Sequence, residues 1–457
     1  MTPSAETEAT VIAEIEKAGI FPITSAKRRT SLLGHLLSPE TAVHQSVVSL
    51  ADQAVASATN FVTGVIIARS CSKEEFGLYM LGFTIILLVT DFQTSLITTP
   101  YMVYAPRLKG RAHALYTGST LIHQLAFCLV AIFALLCAAF AVTIGFGYRG
   151  LEPVLWALVA VISLISFREF ARRVCFARLK LITAFLFDTC VAVVQVGGLL
   201  VLGHFGLLSA SRAYWVIGSA CGIAALWWLW SDREFYHPRV SESLADLKKN
   251  WIFGKWVFAS GLVWTISMNL YPWLLAFFHG TGSAGVWAAC LGVVSVGNPA
   301  LLGIQNLVGP KIAHKYATEG PTELRRLVLK ISAALALPLS LLCLVLMLWG
   351  GRLVALLYGR QYAGNGLVVA ILAINLLVTA EAFSYSRALF AIERADLDFR
   401  INLAALFIMA VLGLWLVRVL GPLGAAFGLM GTTLVTSGVR AGAFLRLPAR
   451  ASLEQNP

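Results

Sequence analysis

The chain has 457 residues, 58% of them hydrophobic and only 13% charged, with a net charge of +12. Soluble domains carry about 25% charged residues, so this composition excludes a soluble globular protein and points to many membrane spans. The apolar segments are continuous, not alternating in pieces of about ten residues, which excludes a transmembrane β-barrel. The positive charge does not call for nucleic acid, because cytoplasmic loops of membrane proteins are rich in Lys and Arg.

Residues 1–44 read as a polar, flexible cytoplasmic head. The basic cluster Lys27-Arg28-Arg29 is not followed by the apolar core of a signal peptide. Twelve apolar spans follow, at 45–69, 77–98, 115–146, 151–168, 182–203, 208–230, 251–278, 284–308, 328–350, 364–386, 399–419 and 422–445. Each approaches or exceeds the ~20 residues a bilayer crossing takes. The first span contains Asp52 and Gln53, and the second Asp91 and Gln93. A charge at that depth costs about 2.5–3.5 kcal/mol, so these groups are expected to face protein or water. At about 100° per residue, Ser49, Asp52, Thr59, Asn60 and Thr63 share one arc of a helix, the pattern of a helix lining a solute path. Pro272, Pro299 and Pro338 are expected to kink or unwind their spans. Trp227, Trp228 and Trp230 close the sixth, as interfacial aromatics do.

The spans alternate in charge. With the N-terminus inside, 28 of the 35 Lys and Arg fall on the cytoplasmic side, leaving Arg69, Lys73, Arg149, Arg212, Arg352, Arg360 and Arg418 outside. That asymmetry is expected of an even number of spans with both ends in the cytoplasm. The polar stretch 231–250 reads as a cytoplasmic linker. It divides an N-lobe, 45–230, from a C-lobe, 251–447, with a cytoplasmic tail at 448–457. Two echoes relate the lobes. Arg173-x-x-Phe176-Ala177 recurs as Arg387-x-x-Phe390-Ala391, and Gly77-Leu78-Tyr79 as Gly285-Val286-Trp287. Both keep the same side of the membrane, which describes a parallel repeat. The eight cysteines form no C-x-x-C pair and nearly all sit in apolar runs, as small buried hydrophobes do; only Cys71 falls in a link.

The succession Asp52-Gln53, Asn60-Phe61, Ala68-Arg69, Glu75-Phe76-Gly77 and Leu96-Ile97-Thr98-Thr99-Pro100 resembles the polysaccharide-transporter branch of the multidrug/oligosaccharidyl-lipid/polysaccharide (MOP) exporters, the Wzx-type flippases. The resemblance implies an all-α integral membrane fold of about twelve transmembrane helices, in two six-helix lobes around a central cavity. It implies alternating access in the bacterial inner membrane, carrying an undecaprenyl-diphosphate-linked oligosaccharide between leaflets. Membrane lipids, a polysaccharide polymerase and chain-length machinery are the partners it implies. Proton or sodium coupling is expected, with no other cofactor.

A lipid-linked diphosphate needs a wet cavity and cations. Lys255, inside the seventh span, and Arg173 and Arg387, at the cytoplasmic ends of the fourth and tenth, are the candidates, since Arg offers a planar fork and Lys a compact charge. The acidic candidates for coupling or sugar contact are Asp52, Asp91, Asp188 and Glu381. Gln53, Asn60, Asn269, Gln195, Asn298 and Asn375 are candidate cavity polar groups, and each is also a candidate helix–helix hydrogen bond. No phosphate loop or metal-binding motif is present, and no long outer loop could house a catalytic domain, so an enzyme is disfavoured. The alternative is a cation-coupled multidrug exporter of the MATE type, which would want a cavity dominated by acidic and aromatic residues.

Overall fold

The computed structural model describes residues 39–233, 236–392 and 394–446. Among them the chain is helical throughout, without strands. The helices are α1 (Pro39–Ser70), α2 (Lys73–Gln93), α3 (Gly110–Thr143), α4 (Glu152–Ala177), α5 (Leu181–His204) and α6 (Ala210–Ser231). Then come α7 (Val240–His279), α8 (Thr281–Ser295), α9 (Asn298–Tyr358), α10 (Gly366–Ala391), α11 (Ala395–Ile408) and α12 (Pro422–Leu445). α2 continues through a π turn at Thr94–Thr98 into Thr99–Tyr104, and α11 through a π turn at Met409–Gly413 into Leu414–Leu420. Contacts divide the chain after Ala51: the described residues before it are the first turns of α1, and everything else follows from Asp52. The expected head and tail lie largely outside the described residues.

Ten helices among the described residues are long and apolar enough to cross a bilayer. α7 is not one of the ten, and α8 is apolar but only 15 residues long. Three boundaries differ from the reading of the sequence. α4 runs on to Ala177, past the expected end at 168, because its Arg and Glu side chains pair with one another inside the bundle. α7 begins at Val240, inside the stretch read as a link, and its early residues are tied down: Tyr116 donates to buried Asn250 at 2.8 Å. α9 contains two helices joined at Gly320, whose φ of 78° and ψ of −172° interrupt the helix. Pro299 does mark an unwinding, since the helix is broken just before Asn298.

Local chemistry sets the starts. Ser72 caps α2 by accepting from the Glu75 N–H at 3.2 Å, with Glu74 and Glu75 in the first turn where the helix dipole favours anions. Ser209 caps α6 in the same way. The interior is apolar and aromatic, around Ile67, Phe76, Leu158, Tyr214, Tyr271 and Val369, with a second cluster around Tyr101, Phe170, Phe187 and Trp228. Large apolar residues are also exposed in number, among them Leu129, Phe133, Leu200, Leu337 and Phe407. In a soluble protein such a surface would aggregate; on membrane spans it meets lipid.

The links gather at two faces. On one, Arg178 and Lys180 of the α4–α5 link pair with Asp232 after α6, at 2.6 and 3.1 Å, and the His237 N–H donates to the Ala114 carbonyl near the start of α3. On the other, Arg69 at the end of α1 donates from Nε to the Leu357 carbonyl at 2.7 Å and from Nη2 to that of Leu356. There Gln361 donates to the carbonyls of Ala68 and Cys71, and Glu75 accepts the Ala210 N–H at 2.6 Å. Here α1 and α2 are clasped to α9 and the turn beyond it, with Phe76 edge-on to Tyr362 at 6.1 Å and Phe61 edge-on to Tyr358 at 6.3 Å.

Candidate functional site

α4 presents Arg168, Glu169, Arg172 and Arg173 within two turns, and the i, i+3 and i, i+4 spacings put Glu169 beside Arg172 and Arg173. Arg172 is the centre. Its Nη2 donates to Asp52 Oδ2 of α1 at 2.6 Å, and its Nε to Asp188 Oδ2 of α5 at 2.7 Å. Arg168 pairs with the other Asp188 oxygen, and Arg173 donates from Nε to Glu169 at 2.8 Å. Asp52 and Asp188 are only 1% and 2% exposed. Three carboxylates and three guanidiniums thus balance inside the bundle. Balance is what makes such burial tolerable, since a lone buried ion costs several kcal/mol.

This arrangement corrects two expectations. Asp52 does not present its charge to a cavity; it binds α1 to α4. Arg173 is half-exposed and paired with Glu169. Its repeat counterpart Arg387 is exposed and lies over the Phe383 ring, 4.7 Å from its centroid. The i, i+4 spacing is kept while the carboxylate is replaced by an aromatic face, a cation–π contact in place of an ion pair.

A second polar group joins α2 to α7. The Thr265 hydroxyl donates to Asp91, and Asn269 donates to the Thr265 carbonyl at 2.9 Å. Trp273 donates to Thr84 at 2.7 Å on the same pair of helices. α7 approaches α2 closely at Gly254, where a Cβ would stand 2.7 Å from the Ser95 carbonyl oxygen. Lys255 follows immediately and is exposed. On α1, Gln53 and Asn60 are exposed, and among the described residues Gln53 reaches only Ser57, at 3.5 Å. The polar arc read on α1 is therefore split: Asp52 and Thr63 turn into the bundle, Thr63 accepting from Gln195 of α5 at 2.8 Å, and Asn60 turns out.

The third group lies on α10. Glu381 Oε1 and Asn375 Oδ1 are buried without a hydrogen-bond partner among the described residues, as are the hydroxyls of Ser384, of Ser332 on α9 and of Ser437 on α12. Ser332 faces the Glu381 carboxyl. Buried polar atoms are nearly always satisfied, so the Glu381 oxygen is an exception to that rule. The sequence reading missed Arg168, Glu169 and Arg172 in the first group, and Ser332, Ser384 and Ser437 in the third. The i, i+4 pair Glu169–Arg173 was the available signal. Among the described residues, no three His, Cys, Asp or Glu side chains are grouped to hold a metal.

A cavity of about 1080 Å³ opens at the clasped face, lined by residues that include Arg69, Arg352, Arg360 and Gln361. None of the candidate residues lines it.

The structure overlays a MATE family transporter of the MOP superfamily in an inward-facing conformation with a TM-score of 0.68, at 16% identity, over 86% of this chain and 96% of that one. An outward-facing MATE family transporter overlays at 0.60, at 14% identity, over 88% of this chain and 94% of the other. In sequence, 200 residues are 21% identical to the capsular polysaccharide biosynthesis protein CapF of Staphylococcus aureus, covering 43% of this chain. The chain spans about half the length of that curated relative. A family profile described as "Polysaccharide biosynthesis protein" matches residues 44–310, more than half of the chain. The protein therefore belongs to the polysaccharide biosynthesis protein family, and its fold is that of the MOP-superfamily membrane transporters.

Proposed function

We propose that the protein is a flippase that moves a polyprenyl-diphosphate-linked oligosaccharide between the leaflets of the bacterial inner membrane, without altering its covalent structure. Both chain ends lie in the cytoplasm in this reading. One observation carries it: at the face of Arg69, helices from the two halves of the chain are clasped together, α1 and α2 against α9 and the turn beyond it, through Arg69, Gln361 and the aromatic contacts. Asp52 lies 17 residues from Arg69 along α1, about 25 Å at 1.5 Å per residue. The buried ionic groups thus sit far from the lock, toward the face of Arg178 and Asp232. A carrier that alternates access needs one closed end, and a hydrophilic head group then enters from the other.

Family membership supports the lipid-linked saccharide as cargo, and the capsular relative agrees with it. The MATE-like fold supports movement without chemistry. Lys255, exposed on α7, is the proposed contact for the diphosphate. Glu381, with an unpartnered buried oxygen, is the proposed site of proton or sodium coupling. Asp52 is a poorer coupling group because Arg172 already occupies it.

The test is reconstitution. Proteoliposomes holding the purified chain and a fluorescent polyprenyl-diphosphate oligosaccharide are exposed to a membrane-impermeant quencher. The reading requires the protected pool to become accessible faster than in protein-free vesicles. If only a fluorescent lipophilic cation is moved, the MATE-type alternative replaces it.

A further inference from the structure

The cavity at the clasped face has the makings of an anion site that the transport reading does not use. Three of its lining residues are arginines and none is acidic. Arg69 spends Nε and Nη2 on the Leu357 and Leu356 carbonyls, leaving Nη1. Arg352 and Arg360 are exposed and have no hydrogen-bond or ion-pair partner among the described residues. The nearby carboxylate of Glu75 is engaged by the Ala210 N–H at 2.6 Å. Three like charges around one cavity repel until an anion completes the set.

The surroundings indicate what carries the anion. Leu337, Leu341, Leu344, Leu348 and Leu356 of α9 are all exposed, between 50% and 79%. Their spacing of three, four and eight residues places them on one stripe of the helix, and Arg352 falls in that stripe between Leu348 and Leu356. Trp349, half-exposed beside it, also lines the cavity. An apolar stripe that ends in a guanidinium cluster with a Trp at its edge is the arrangement that holds a lipid by tail and head together.

We propose that Arg69, Arg352 and Arg360 bind the phosphate headgroup of an anionic membrane lipid whose tail runs along the Leu337–Leu356 stripe of α9. The cavity wall includes Arg69, Ser70 and Cys71 from the end of α1 as well as residues 349–361, so the headgroup bridges the clasp. A ligand that contacts both sides binds better when they are together, and so favours the clasped state. The proposal stands independently of what the protein transports.

The purified full-length chain is tested in detergent by native mass spectrometry against equal amounts of phosphatidylglycerol and phosphatidylcholine. The wild type is expected to retain phosphatidylglycerol preferentially. Arg352→Gln combined with Arg360→Gln lowers that preference roughly ten-fold or more, each charge near a lipid surface being worth about 1 kcal/mol. Arg418→Gln, a cation outside the cavity, leaves it unchanged. Equal retention of the two lipids by the wild type, or an undiminished preference in the double variant, overturns the proposal. A parallel thermal-shift series keeps folding in view: phosphatidylglycerol raises the melting temperature of the wild type but not of the double variant. If inorganic pyrophosphate alone stabilises the wild type as much as the lipid does, the site takes a free anion and the lipid assignment falls.

Discussion

Gly77 and Gly285 lie against one another where α2 crosses α8, and each stands in the same relation to the other. A Cβ on Gly77 would run into the Thr281 carbonyl and stand 3.2 Å from the Gly285 nitrogen; a Cβ on Gly285 would run into the Lys73 carbonyl and stand 3.1 Å from the Gly77 nitrogen. Lys73 and Thr281 are separated by 208 residues, as are the two glycines. Reciprocal contact between equivalent residues is what a two-fold axis produces at an interface, and here it relates two stretches of one chain. Small residues allow the backbones this close approach. Gly77→Ala is expected to cost about 1–3 kcal/mol through overpacking and to lower the melting temperature in detergent. Gly431→Ala, where a Cβ meets nothing within 4 Å, serves as the control and stays near wild type. Equal melting temperatures for the two variants would contradict the crossing.

Arg172 holds two buried carboxylates at once. Arg172→Ala strands the buried Asp52 without its cation and leaves Asp188 to Arg168 alone, which is expected to destabilise by about 3–5 kcal/mol and to reduce membrane abundance sharply. Adding Asp52→Asn removes the stranded charge and recovers part of the loss. The check is thermal stability of the single and double variants. A single variant as stable as wild type would mean that the cluster does not hold α1, α4 and α5 together.

Cys71 sits in the short link between α1 and α2, its thiol donating toward the Leu208 carbonyl at 3.5 Å. Burial, and then the Glu75 carboxylate, push its pKa up to about 11. Raising a thiol pKa makes the reactive thiolate scarcer at neutral pH, so at pH 7.5 roughly one molecule in 3,000 carries it. In a variant whose other cysteines are replaced, maleimide labelling is expected to be slow and to rise about ten-fold per pH unit up to about pH 10. An ordinary exposed cysteine levels off near pH 8.5. With an impermeant maleimide on intact cells, labelling of Cys71 also tests the proposed orientation, since both chain ends being cytoplasmic puts this link outside.

Lys255→Ala is expected to slow flipping about ten-fold, the worth of one charge-assisted contact of about 1.4 kcal/mol, with unchanged abundance. Lys255→Arg keeps most of the rate. Normal transport in the alanine variant removes Lys255 from the diphosphate contact.

Glu381→Gln retains shape and hydrogen-bonding capacity but cannot ionise. Transport by this variant is expected to lose its response to an imposed proton or sodium gradient while the wild type keeps it. Identical gradient responses in the two proteins would end the coupling role assigned to this carboxyl.

The spans were legible because lipid demands long apolar runs, and the repeat was legible at Gly77 and Gly285 because backbone contact tolerates no larger side chain. The ionic cluster was not. Arg173 was singled out and Arg172 passed over, yet one residue is about 100° of rotation, and that rotation puts Arg172 between α1 and α5 while Arg173 stays half-exposed. The end of α4 was misplaced for the same reason: Arg168 and Glu169 look like interfacial charges in one dimension, and only partners from other helices reveal them as interior. Asp91 was singled out, but its partner Thr265 lies 174 residues away, beyond any spacing rule. Glu381 meets Ser332 from a different helix, a pairing with no local pattern at all.

The π turn at Thr94–Thr98 has a mechanical meaning. Its carbonyls bond one residue further along than in an α-helix, as the Thr99 N–H does to the Thr94 oxygen. Gly254 of α7 rests on this same turn at Ser95, while the Gly77 crossing lies several turns away along α2. A swing of α7 therefore reaches α2 where its ladder is already out of step, and a slip of one rung there can absorb it. Under the proposed transport cycle, α2 would work as two rods on a shared swivel and not as one rigid lever. In the proposed alternation, contacts such as Tyr116–Asn250 would part by bending at this turn, with the end near Arg69 still clasped.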